Sequence, residues 1–152
     1  MDGPGMVRED HYDFSGTYLT QISYYRGGSS LGDSRTLEMT VQKVSQDRGE
    51  VTVFYSDRPT HSSKETSKTV GVSTSVLSAV DEIMERYRMK EWKDLPETDL
   101  IALDAASMRF VYEFSDGTVY SLGSDLEMPD QAHAAISEIL KCIKASAGIT
   151  EN

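Results

Sequence analysis

Apolar and polar residues alternate along three stretches in the N-terminal part of the chain. A period of two places successive side chains on opposite faces of a strand, so each stretch predicts a β-strand. The stretches cover residues 12–25, 36–45 and 50–56. In the first strand, one predicted face carries Tyr18, Thr20, Ile22 and Tyr24, and the other carries Leu19, Gln21, Ser23 and Tyr25.

The second and third strands form a predicted hairpin. One face of the second strand carries Leu37, Met39 and Val41, and one face of the third carries Val51, Val53 and Tyr55. Residues 46–49 between them have the composition of a turn, in which Gly49 is expected to supply a positive φ. Residues 57–69 show no apolar periodicity and are rich in Ser, Thr and Lys, which predicts a loop.

The apolar spacing changes after residue 75 from two residues to three or four. One stripe contains Val76, Leu77, Val80, Ile83, Met84 and Tyr87. This spacing predicts an amphipathic helix over residues 76–87, capped by one of the three residues at 73–75. Asp81 and Glu82 are expected to face solvent. Trp92 is expected to pack back onto the core, since Pro96 prevents the helix from continuing.

A second hairpin is predicted at residues 108–122, where the alternation is clearest. Its apolar positions are Met108, Phe110, Tyr112 and Phe114 on one strand, with Thr118, Tyr120 and Leu122 on the other. A two-residue turn at residues 116–117 would put the apolar groups of the two strands on opposite faces. A three-residue loop at 115–117 with a glycine bulge gathers them on one face, so this register is predicted. Its cross-strand pairs are Phe114–Thr118, Tyr112–Tyr120 and Phe110–Leu122.

A last helix is predicted to start at Pro129 or to be capped by Asp130, and to end at Gly148. Its apolar stripe contains Ala132, Ala135, Ile136, Ile139, Leu140 and Ile143. The elements together predict a single α+β domain over residues 12–148, preceded by a flexible segment at residues 1–11. The predicted architecture is an antiparallel sheet of about five strands packed on one face by two helices, in the order βββαββα.

The charge of the chain is strongly uneven. The net charge is −10, of which residues 1–75 carry −2 and residues 76–152 carry −8. From residue 91 to residue 130, ten acids stand against only Lys93 and Arg109. Because nucleic-acid binding needs a basic surface, this balance argues against it. No run of 18 apolar residues exists, so no membrane-spanning segment is predicted.

Three short segments of the C-terminal half carry a resemblance to a known group of proteins. They are Glu91-Trp92-Lys93-Asp94-Leu95, Phe110 to Phe114 with the Asp116-Gly117 turn, and Met128-Pro129-Asp130. Over about residues 76–143 the chain resembles small uncharacterised bacterial domains, found in Firmicutes as cytoplasmic proteins or lipoprotein modules. The resemblance implies the same α+β fold and no assigned activity. The chain as given is expected in the cytoplasm, or outside it as a lipoprotein domain if a leader was removed.

No catalytic or cofactor motif stands out. The three histidines, His11, His61 and His133, lack the spacing of metal ligands, and one cysteine, Cys142, can form neither an intrachain disulfide nor a structural zinc site. The glycine-containing segment at residues 27–32 has no following lysine and lies between strands, unlike a phosphate-binding loop. No cofactor and no metal are therefore predicted, and enzyme activity is not indicated.

The candidate site consists of four acids, Asp94, Glu97, Asp99 and Asp104. Their spacing matches no calcium-binding loop, and a solvated face is favoured over a calcium site. The same acids would attract a basic protein. The leading hypothesis is a non-enzymatic interaction module, such as an acidic immunity or inhibitor protein that covers a basic partner through residues 91–130. The alternative is a small-ligand-binding domain or enzyme with a pocket between sheet and helices, which would use tyrosines such as Tyr112 or Tyr120.

Overall fold

A computed structural model of the protein describes residues 12–27, 34–58, 66–97 and 107–149. Over these ranges the chain forms six strands, two α-helices and one 3-10 turn. The strands are β1 (Leu19–Gly27), β2 (Ser34–Ser45), β3 (Arg48–Arg58), β4 (Thr66–Val72), β5 (Ser107–Phe114) and β6 (Val119–Gly123). The helices are α1 (Ser75–Arg86) and α2 (Ala132–Ala147), with the 3-10 turn (Met89–Glu91) after α1. The predicted flexible segment at residues 1–11 lies outside the described residues.

The six strands form one antiparallel sheet in the order β4-β3-β2-β1-β5-β6. Alternate residues of the central strands are buried, as the period of two requires. Met39 and Val53, for example, pair across β2 and β3 and are both fully buried. The buried apolar residues of this face form one core with those of α1 and α2. The predicted α+β class, with an antiparallel sheet and two helices, is confirmed.

The strand β4 lies where the sequence predicts a loop, at residues 57–69. β3 extends to Arg58, residues 59–65 lie outside the described ranges, and β4 begins at Thr66. β4 pairs only with β3 and is an edge strand, so most of its side chains are exposed and show no apolar alternation. Only Val70 and Val72 pack against the core. The observed order is therefore ββββαββα, with six strands rather than about five.

The strand β1 is shorter than predicted and contains a bulge. It begins at Leu19 rather than Tyr12, and its register against β5 shifts between Leu19 and Gln21, which leaves Thr20 as the extra residue. The Thr20 hydroxyl donates a hydrogen bond of 3.1 Å to the backbone oxygen of Glu113. A bulge changes the face on which the following residues lie. As a result, Leu19 and Ile22 are both fully buried, although the alternation places them on opposite faces.

Residues 12–18, which precede β1, form an N-terminal arm that lies against the β2–β3 turn. The backbone N–H of Phe14 donates to the backbone oxygen of Gln46 at 2.8 Å, and the Phe14 side chain is 1% exposed. The predicted β2–β3 hairpin is confirmed, but Gly49 does not adopt a positive φ. Gly49 instead makes room for the arm, because a Cβ there would lie 2.5 Å from Cζ of Phe14.

The hairpin of β5 and β6 has the predicted register. Phe110 pairs with Leu122, and Tyr112 pairs with Tyr120. The backbone N–H of Phe114 donates to the backbone oxygen of Thr118 at 2.9 Å, which closes the three-residue loop. Gly117 has a φ of 89°, the conformation that the glycine bulge requires.

Both helices bury the apolar stripes predicted for them, except that Tyr87 follows α1 as its C-cap and is only partly buried. Trp92 is also buried, as predicted, after the 3-10 turn. The N-cap of α2 is Gln131 rather than Asp130, because a turn closed by Ala132 N–H and the backbone oxygen of Pro129 precedes the helix. Gly148 ends α2 with a φ of 69°. Neither helix has the length and apolar composition that a membrane-spanning helix needs.

Candidate functional site

The structure describes two of the four predicted site residues. Asp94 and Glu97 are both exposed, whereas Asp99 and Asp104 lie outside the described residues. Asp94 has a φ of 56°, in the left-handed region that Asp and Asn tolerate better than most side chains. Glu97 forms an isolated antiparallel bridge with Leu126. This bridge joins the acidic connector before β5 to the segment that leads from β6 to α2.

The bridge brings together acids that are about thirty positions apart in the sequence. Next to it, the backbone N–H of Glu127 donates to the backbone oxygen of Pro96 at 2.8 Å. Glu127 and Asp130 are exposed like the acids before β5. We define the acidic surface as Asp94, Glu97, Glu127 and Asp130. None of these four carboxylates forms a side-chain hydrogen bond or an ion pair, so their negative charge is not neutralised within the described part of the fold.

Asp125, in the same segment, does have a basic partner. One terminal nitrogen of the Arg109 guanidinium donates to both carboxylate oxygens of Asp125, at 3.0 and 3.1 Å, and the other donates to Ser121 at 2.9 Å. Arg109 is one of only two bases between residues 91 and 130. Because this guanidinium is engaged by Asp125, it does not compensate the acidic surface.

A groove lies between the N-terminal arm, the end of α1 and the β5–β6 hairpin. This groove has a volume of about 620 Å³. It is lined by Thr17, Asp81, Met84, Glu85, Arg88, Lys90, Glu91 and Phe114. Its lining comes from four separate parts of the chain, so no short motif in the sequence marks it.

Asp81 is the half-buried carboxylate of the groove. The sequence predicts that Asp81 faces solvent, but the hydroxyl of Tyr12 in the N-terminal arm donates a hydrogen bond to its Oδ2. Burial raises the pKa of Asp81, and this effect outweighs the hydrogen bond from Tyr12 and the nearby charge of Lys90. Burial and the same carboxylate also raise the pKa of the Tyr12 hydroxyl. The arm and α1 are thus joined by a Tyr–Asp pair that is 69 positions apart.

The raised pKa of Asp81 predicts a specific dependence of stability on pH. Between the ordinary carboxyl pKa of 3.8 and the raised value, the folded state binds more protons than the unfolded state. The contribution of Asp81 to the free energy of unfolding therefore decreases as the pH rises through that window. Asp81→Asn should gain stability relative to the unchanged protein as pH rises from 4 to 7, measured as the difference in melting temperature. Glu82→Gln, which removes a carboxylate from the exposed face of α1, is the control for the general effect of losing a charge. A constant difference for Asp81→Asn would contradict the prediction.

Two cations also line the groove. The Lys90 ammonium lies 5.0 Å from the ring centroid of Phe114, within range of a cation–π interaction. Arg88 and Glu91 form an exposed ion pair with an N–O distance of 3.7 Å. The groove therefore combines carboxylates, an ammonium group and an apolar floor.

Tyr112 and Tyr120, which the alternative hypothesis expects to line a pocket between the sheet and the helices, belong to the hydrophobic core instead. Tyr112 is fully buried and its hydroxyl donates to the backbone oxygen of Met89 at 2.5 Å. The Tyr120 ring stacks on the Tyr112 ring with centroids 4.8 Å apart. His133 is exposed, His11 and His61 lie outside the described residues, and burial raises the pKa of the half-buried Cys142 thiol. Across the described ranges, no group of three or more His, Cys, Asp or Glu side chains is placed to hold a metal ion.

Comparison of the chain with protein-family models and with curated proteins identified no relative. No protein-family model matches the chain, and no curated protein matches it. The resemblance to small bacterial domains over about residues 76–143 therefore stays a prediction.

Proposed function

We propose that the protein is a non-enzymatic interaction module that binds a basic protein through the acidic surface, as an immunity or inhibitor protein does. The observation that carries this proposal is the bridge between Glu97 and Leu126, which gathers exposed carboxylates from two segments. Clustered carboxylates without positive charges nearby attract a basic protein over a distance and increase its rate of association. The same attraction weakens as salt shortens its range.

The carboxylates of this surface are expected to contribute little to the stability of the fold, because they are exposed. Exposed charges without ion pairs contribute little to stability, so their replacement changes the surface more than the folded state. Asp125 in the same segment differs, because its pair with Arg109 ties the residues after β6 to β5. Asp94 also differs: its left-handed backbone would be strained by a lysine, so Asp94→Asn is the suitable substitution there.

The proposal predicts that Glu97→Lys/Glu127→Lys abolishes capture of a basic protein. Immobilised full-length protein is exposed to an extract of its native cell at graded NaCl concentrations, and retained proteins are identified. We expect a protein of high isoelectric point whose retention falls steeply with salt and is lost in the double variant. Circular dichroism should show the same melting temperature as for the unchanged protein, within a few degrees.

The matched control is Glu50→Lys/Glu82→Lys, which makes the same charge change on β3 and on the exposed side of α1. It should retain the partner, because the acidic surface is intact. Equal retention by both double variants, with unchanged salt dependence, would show that the acidic surface is not the binding site. A gene for a secreted basic toxin beside the gene of this protein would favour the immunity form of the proposal.

A further inference from the structure

The groove contains opposite charges that do not pair with each other. Asp81 and Lys90 are close enough for the lysine to lower the pKa of the carboxyl group, yet they form no ion pair. Tyr12 occupies Oδ2 of Asp81, and no described group donates to Oδ1. Lys90 rests over the Phe114 ring and makes no hydrogen bond with a described residue. A half-buried carboxylate and an ammonium group therefore both keep hydrogen-bonding capacity.

The size of the groove suits a small molecule, and its apolar lining is limited to Met84 and Phe114. Met84 and Phe114 are 4% and 5% exposed, so each presents only a small surface to the groove. The volume of about 620 Å³ falls within the range of small-molecule sites, which is roughly 300–1,000 Å³. Such sites combine an apolar lining with a few polar groups that orient the ligand.

We propose that the groove binds a small zwitterion with an apolar body, such as an amino acid with an aliphatic side chain. Its ammonium group would donate to Oδ1 of Asp81, and its carboxylate would accept from the ammonium of Lys90. Its apolar part would lie against the small exposed surfaces of Met84 and Phe114.

A ligand with one charge can bond to only one of Asp81 and Lys90. A simple anion that reached Lys90 would also be repelled by Asp81 and Glu85, whereas a simple cation would lose the bond to Lys90. Arg88 does not change this balance, because Glu91 is its ion-pair partner. This inference concerns a ligand class and a set of residues that the proposed binding of a basic protein does not use.

Calorimetric titration of the full chain with three probes of similar shape tests the ligand class. L-leucine carries both charges, isoamylamine only the ammonium group, and 4-methylpentanoate only the carboxylate. We expect saturable binding of L-leucine and at least about tenfold weaker binding of the other two, since each loses one charge-assisted hydrogen bond. Equal affinities for all three, or no saturable binding of L-leucine at tens of millimolar, would overturn the proposal.

Two substitutions test the residues. Asp81→Asn, which keeps an acceptor for Tyr12, and Lys90→Met, which keeps the apolar stem, should each weaken L-leucine binding about tenfold or more. The controls are Glu82→Gln and Lys93→Met, which alter exposed charges outside the groove lining and should bind normally. Melting curves verify that all four variants are folded. Unchanged L-leucine binding by Asp81→Asn and Lys90→Met would overturn the assignment.

The outcome is independent of the acidic surface. Glu97→Lys/Glu127→Lys should bind L-leucine like the unchanged protein, because neither residue lines the groove. Loss of L-leucine binding in this double variant, with a normal melting curve, would contradict the assignment to the groove. Loss of protein capture in the same variant concerns only the proposed function.

Discussion

Phe14→Ala is expected to lower the free energy of unfolding by about 3–5 kcal/mol, the usual cost of deleting a buried aromatic side chain. Phe14 belongs to the N-terminal arm rather than to the sheet, yet it is among the largest fully buried side chains. Its ring contacts the rings of Tyr12 and Tyr18 edge to face, with both centroid distances at 4.9 Å. Urea denaturation followed by circular dichroism measures the loss. A loss below about 1 kcal/mol would show that the arm is not part of the cooperative core.

Gly49 provides a matched test of the same contact. A Cβ at this position would approach the Phe14 ring to 2.5 Å, so Gly49→Ala should destabilise the fold by about 1–3 kcal/mol. In the double variant Phe14→Leu/Gly49→Ala, the leucine side chain leaves room for the new Cβ. Gly49→Ala should therefore destabilise the Phe14→Leu variant less than it destabilises the unchanged protein, which a double-mutant cycle measures. Gly71→Ala is the control, because the nearest atom to its Cβ would be 3.9 Å away. A loss in Gly71→Ala as large as that in Gly49→Ala would contradict the steric explanation.

Tyr112→Ala should have an effect of the same size, about 3–5 kcal/mol, because a fully buried ring is removed from the centre of the core. The ring stacks on Tyr120 with an interplanar angle of 4°, and it also contacts Phe110 and Phe114. The hydroxyl contributes separately through its bond to the backbone oxygen of Met89. Tyr112→Phe removes this bond but leaves the Trp92 backbone N–H donating to the same oxygen at 3.2 Å, so it should cost about 0.5–1.5 kcal/mol.

Tyr120→Phe separates the hydroxyl effect from a general effect of tyrosine replacement. Tyr120 is 8% exposed, and its hydroxyl donates to no described group. Its loss should therefore change the free energy of unfolding by less than about 0.5 kcal/mol. If Tyr112→Phe were equally harmless, the bond to Met89 would not stabilise the turn between α1 and β5.

The β5–β6 register could be predicted from sequence because its large side chains leave one acceptable solution. Only one loop length puts Phe110, Tyr112 and Leu122 on the same face, and the burial of a large apolar face strongly specifies register. The stripes of α1 and α2 could be predicted for the same reason. In each case the apolar residues that determine the structure are near one another in the sequence, so their spacing is enough to predict which face is buried.

The parts that could not be predicted depend on residues far apart in the chain or on single insertions. The bulge at Thr20 moves Leu19 to the buried face, and no local sequence pattern indicates the bulge. β4 has few apolar residues because an edge strand contributes little to the core. The pairing of Tyr12 with Asp81 and the bridge at Glu97 join segments that the sequence separates. The acidic character of residues 91–130 could be recognised from the sequence, but the contact between the connector and residues 125–130 required the fold.

Lys68 lies opposite Tyr55, so its side chain emerges on the helix-covered side of the outermost strand. A strand from another molecule that paired with the free edge of β4 would have to desolvate this ammonium group. The backbone of β4 still offers donors and acceptors along its outer side, which is where fibrillar growth of β-proteins commonly begins. Lys68→Val is therefore expected to make this edge of the sheet more prone to aggregation.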